Sequence, residues 1–81
     1  MRSEVASYFF RSPVGVFWIH PQPNSDGRFW LGIGDERLGS YHSARAAADD
    51  VYTQHTGSHA WDSLRDASAP TDLSEWERGA A

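Results

Sequence analysis

The chain has 81 residues, a mass of 9.1 kDa, no cysteine, seven arginines, no lysine and a formal charge of −4. That length suits a single domain over residues 1–81, and the missing residue types exclude disulfides, thiolate chemistry, a lysine Schiff base and a P-loop. Aromatic residues make up 14% of the chain, too many large apolar side chains for a disordered sequence.

Residues 1–7 include Glu4 and lack the apolar segment of a signal peptide. The longest run without a polar residue, 13–19, falls well below the roughly 20 residues that cross a bilayer. The expectation is a cytoplasmic protein with no membrane partner. Tyr8–Arg11 reads as a first short strand, ended by a turn over 12–15 in which Pro13 sets φ and Gly15 is free to take positive φ. Val14–His20, β-branched and aromatic, reads as a second strand, bounded by Pro21 and Pro23. A polar loop with an Asp26-Gly27 turn signal leads to a third strand, Arg28–Ile33, and the turn 34–36 leads to a shorter fourth, Arg37–Tyr41. The sheet is thus expected over about 7–41.

The hydrophobic period then changes. Ala44, Ala47, Ala48, Val51, Tyr52 and His55 recur at helical spacing, so a helix is expected over about 44–56, with Ser43 as N-cap and Gly57 as the C′ stop. Its alanine face allows close approach to a sheet. Arg45 and Asp49 stand four apart and form an expected ion pair on its far side. The tail, 58–81, holds a possible extra turn at Trp61–Leu64, a break over 67–70 and a short capped helical turn over 71–77. The predicted architecture is α+β: a three- to four-stranded antiparallel sheet with one α-helix packed on one face and an extended C-terminal tail.

Strand alternation divides the side chains between two faces. Phe17, Ile19, Phe29, Leu31 and Ile33 suit the helix. Trp18, Trp30, His20, Arg28 and one of Phe9 and Phe10 belong to the opposite face. So much apolar area is seldom left bare in a small domain. Either the tail, with Trp61, Leu64, Leu73 and Trp76, folds back over that face, which is the preferred reading, or the face is a binding surface.

No constellation points to catalysis. His55 and His59 have a metal-site spacing, but Gly57 and Ser58 interrupt the helical face between them, and no cofactor or metal is expected. Asp49 and Asp50 are adjacent and diverge by about 100° on a helix. No serine lies in a G-x-S-x-G elbow, and Gly32, Gly34 and Gly39 belong to hairpins rather than to a dinucleotide fingerprint. The charge is uneven: residues 1–45 sum to +1 and residues 46–81 to −5. Arg28 beside Trp30 and opposite Trp18 has the chemistry to meet phosphates and bases, but a chain of charge −4 repels nucleic acid at long range.

The run Tyr8-Phe9-Phe10, Gly15–Ile19, Gly27–Trp30, Leu38–Ser43, Ala46–Val51, His55-Thr56-Gly57 and Pro70–Glu77 resembles a group of short, uncharacterised proteobacterial proteins across nearly the whole chain. The resemblance implies a shared sheet-plus-helix domain in a bacterial cytosol and brings no activity with it. The order of three strands and a helix, with Trp30-Leu31-Gly32 and an alanine-rich helix, is also similar to the plant ethylene-response-factor-type DNA-binding domain, whose sheet face reads the major groove through Arg and Trp. The present chain departs from that domain in having few basic strand residues and an extra strand after Ile33. The function expected is a non-enzymatic protein-interaction module using Trp18, His20, Arg28, Trp30 and Arg11, or, if the tail covers them, the acidic stretch 62–77. A nucleic-acid-binding module on the same sheet face is the alternative. The oligomeric state is left open, although an exposed edge strand offers a way to pair two copies.

Overall fold

The computed structural model describes residues 6–23 and 27–80. Five antiparallel strands, β1 (Ala6–Ser12), β2 (Gly15–Pro21), β3 (Phe29–Ile33), β4 (Glu36–Tyr41) and β5 (Glu77–Ala80), form one sheet in the order β4-β3-β2-β1-β5. The first four make successive hairpins. Ser12 accepts from the Val14 N–H and donates to the Gly15 carbonyl at 2.6 Å, which fixes the first turn, and Gly15 takes φ 138°. Asn24, Ser25 and Asp26 of the expected Asp26-Gly27 turn lie outside the described residues. β5 is an addition to the expected sheet. The end of the tail, of which only Glu77 lay in the expected helical turn, pairs with β1, Tyr8 opposite Arg78 and Phe9 opposite Glu77.

The helix α1 runs Ala44–Tyr52, four residues shorter than the sequence pattern suggests. Ser43 caps it as expected, accepting from the Ala46 N–H at 3.0 Å. Its other end is not made by Gly57. Gln54 enters the left-handed region at φ 61°, and the Gln54→Val51 and His55→Asp50 backbone bonds close a Schellman motif around it. A non-glycine residue here is offset by its own side chain, whose amide donates to the Trp61 and Leu64 carbonyls at 2.7 and 2.9 Å. Tyr52, expected on the buried face, is half exposed. Arg45 turns towards Asp72 rather than Asp49.

The core lies between α1 and the sheet face expected for it: Phe17, Ile19, Leu31, Ile33, Ala44, Ala47, Ala48 and Val51. Trp61 and Trp76 complete it, contrary to the expectation that the tail covers the other face. The reason is dimensional. A nine-residue helix is about 13.5 Å long and alanine-faced, whereas five strands span about 19 Å. α1 packs on β2, β3 and β4, leaving the inner side of β1 to be filled. Trp61, from the short helix α2 (His59–Asp62), fills it, edge-on to Phe10 and Phe17 at 5.9 and 5.3 Å, and Trp76 lies 5.6 Å from Phe10. The Trp61 indole donates to the Val51 carbonyl at 2.9 Å, pinning the tail to the helix end. The Asp62 carboxylate accepts from the Thr56 and Gly57 N–H groups and the Thr56 hydroxyl, so the link between α1 and α2 is hydrogen-bonded throughout. A 3-10 turn, Leu73–Glu75, capped by Asp72, precedes β5.

Candidate interaction face

Alternation along β1, β2 and β3 places Phe9, Val16, Trp18, His20 and Trp30 on the sheet face away from the helix, where the core and helix do not reach. Each ring there has a specific seat. Trp18 stands opposite Gly32, and its six-membered ring occupies the space where a Cβ of residue 32 would lie. The Trp18 indole N–H donates to the Gly34 carbonyl at 2.8 Å. Phe9 lies over Gly79 of β5 in the same way, 3.2 Å from the position of a Cβ. Two strand glycines, each weak on its own for want of a side chain, are thus roofed by aromatic neighbours.

His20 connects the two rings. It stacks on Trp18 with centroids 4.6 Å apart and meets Phe9 edge-on at 5.7 Å. Its Nδ1 lies 2.7 Å from the Ser7 hydroxyl, one step beyond the Tyr8–Ile19 pair. Burial holds the imidazole below its usual 6.5, so the neutral ring is favoured. Serine and imidazole at that distance have the spacing of a nucleophile and its base. Ser7 is, however, only 1% exposed, so no substrate carbonyl can approach its oxygen. The pair orients the ring.

The arginines stand around these rings. Arg37 lies over Trp30, its guanidinium 4.1 Å from the ring centroid. Arg28 donates through Nε to the Ser40 hydroxyl at 2.9 Å and through a terminal nitrogen to the Ser40 carbonyl at 3.2 Å. Arg11, at the β1 end, is 3.5 Å from Glu77 of β5, both well exposed. All five residues expected from the sequence, Trp18, His20, Arg28, Trp30 and Arg11, therefore share one face of the sheet. Of the Phe9 and Phe10 pair, Phe9 is the one on this face, and Ser7, Gly79 and Arg37 were missed as members of it. Arg37 was missed because β4 changes phase. Gly39 pairs with Leu31 but Arg37 pairs with Gly32, so Leu38 is an extra residue that turns Arg37 outward. The glycine inside the β4 pattern is the one sequence signal for that bulge.

Asp50, His55 and His59 lie apart from this face. Asp50 accepts from the Tyr41 hydroxyl at 2.7 Å, and burial together with this carboxylate pushes the phenol far above its usual range. His55 meets its neighbour Thr53, while His59 opens a different helix. Among the described residues no group of three or more His, Cys, Asp or Glu is placed to hold a metal ion, and no helix is long and apolar enough to cross a membrane. Comparison with protein-family models, curated proteins and solved structures finds no match.

Proposed function

We propose that the protein is a non-enzymatic protein-interaction module that works through the sheet face opposite its helix. The observation that carries this reading is the destination of the tail. Trp61 and Trp76 enter the core, and the aromatic face keeps Trp18, Trp30, His20 and Phe9 at the surface, ringed by Arg11, Arg28 and Arg37. Aromatics with arginines are the usual anchors of protein interfaces, and each ring here is already held in one orientation, which lowers the entropy lost on docking. The partner surface that fits offers apolar groups for the rings and carboxylates for the arginines. A bacterial cytosol, as the resemblance implies, is the setting that goes with it.

The same geometry weighs against nucleic acid. A base needs an open π-face, yet Trp18 is stacked by His20, and Trp30 carries the Arg37 guanidinium. The arginines that would meet phosphates are spread across the sheet and individually engaged.

A photoreactive group at Val16, an exposed residue of this face, tests the reading in a lysate of the source cells. The expected result is a discrete protein adduct that survives nuclease and disappears in Arg37→Glu. No adduct, or one abolished by nuclease, overturns it. Amide shifts on β1–β3 during a low-salt titration with single- or double-stranded oligonucleotides would favour nucleic acid instead.

A further inference from the structure

A cavity of about 340 Å³ opens on the helix side of the sheet, away from the aromatic face, and is lined by Tyr8, Arg45, Asp72, Leu73, Ser74 and Arg78. Three elements build it. Tyr8 and Arg78 are directly opposite on β1 and β5, so their side chains leave the same face side by side. Arg45 comes from the first turn of α1, and residues 72–74 belong to the 3-10 turn and its cap.

The polar groups are unequally occupied. One Asp72 oxygen accepts from both the N–H and the hydroxyl of Ser74. Its other oxygen is 4.0 Å from an Arg45 nitrogen, at the outer limit of an ion pair, with the Arg45 side chain 73% exposed. Arg78 makes no ion pair, and the Tyr8 hydroxyl no hydrogen bond, among the described residues. Two guanidinium groups thus face one carboxylate that is already bonded elsewhere. The cavity has a surplus of donors and positive charge, and Leu73 supplies an apolar wall. Its volume is at the lower end of small-molecule sites, which run from roughly 300 to 1,000 Å³.

We propose that this cavity binds a small oxyanion, a carboxylate or a phosphate, held between the Arg45 and Arg78 guanidinium groups with the Tyr8 hydroxyl as a further donor. Guanidinium forks match the paired oxygens of both groups, and charge-assisted bonds of this kind are the strong ones. The site is independent of the aromatic face and does not rest on its proposed role.

The test is an amide-shift titration of the full chain with inorganic phosphate and, separately, with butanoate, each at constant ionic strength. Saturable shifts are expected at Tyr8, Leu73, Ser74 and Arg78, with the Trp18 and Trp30 indole signals unmoved. Saturation by phosphate alone, or by butanoate alone, supports the site and identifies its ligand class. Arg78→Gln and Arg45→Gln, both at exposed positions, should each weaken binding roughly tenfold or more while the remaining spectrum is unchanged. Tyr8→Phe should weaken it less. Shifts that never saturate, saturation centred on the aromatic face, or equal affinity in Arg78→Gln each overturn the proposal.

Discussion

Both faces of this sheet carry aromatic rings, more of them on the helix side, and the two hold their rings by different means. On the inner face Phe17, Ile19, Leu31 and Trp61 are fully buried, and each ring meets side chains from other parts of the chain. On the outer face each ring lies across its neighbours within the sheet: Trp18 on Gly32, Phe9 on Gly79, His20 on Trp18, and Arg37 on Trp30. The first arrangement gains its stability from removing whole side chains from water. The second orders rings that water still reaches. An aromatic-rich sequence therefore does not by itself reveal how large its core is, because half-covered rings stabilise a sheet locally and remain available for contact.

Mutations should separate the two faces. The largest effect is expected at Trp61→Ala, which empties the space over β1 and removes the indole bond to Val51; about 3–5 kcal/mol of stability should be lost, measured by urea unfolding. If Trp61→Ala is near neutral, the inner face is not the core described. Gly32→Ala comes next. Its methyl falls within the Trp18 ring, so the ring must leave its seat at a cost of about 1–3 kcal/mol. The Trp18 indole proton, now bonded to Gly34, should shift with it. An unchanged indole signal would show that Trp18 is not seated there.

Ser7→Ala should cost about 1 kcal/mol, since it leaves the half-buried His20 ring nitrogen without its partner. The same site predicts a pH dependence. His20 is neutral in the fold and has its proton affinity lowered by burial, so the unfolded chain takes up a proton first as pH falls. The contribution is complete above pH 6.5 and is lost as pH drops through the lower folded value. His20→Gln should remove that component of the urea-midpoint profile between those values. A profile identical to wild type would count against the assignment. The smallest effect is expected at Trp30→Ala, about 1 kcal/mol or less, because Trp30 lies outside the core and its ring meets the exposed Arg37. Outright unfolding of either Trp18→Ala or Trp30→Ala would make these rings core residues and remove the basis of the proposed interface.

Much of this was legible in the chain, for identifiable reasons. The hairpins of β1–β4 follow from β-branched and aromatic runs punctuated by Pro and Gly, and the α1 face follows from alanines at helical spacing capped by Ser43. Two-residue alternation alone brings Trp18, His20, Trp30 and Arg28 to one face. The helix end was not legible, because Gln54 takes the left-handed role usually given to glycine, and its compensation is a pair of bonds to Trp61 and Leu64 carbonyls distant in sequence. Arg37 was hidden by a bulge that inverts the alternation.

What the sequence determined by itself is everything set by neighbours along the chain: strand and helix type, the N-cap, the polar turns and the sorting of side chains onto faces. The tertiary structure decided where the tail goes. Glu77–Ala80 has no strong strand pattern of its own and becomes β5 through its pairing with β1. Trp61 and Trp76 have no periodicity to announce their destination; they fill the inner face because a short alanine helix leaves part of a five-stranded sheet uncovered. That competition for space, which involves elements tens of residues apart, is what leaves the outer aromatics at the surface.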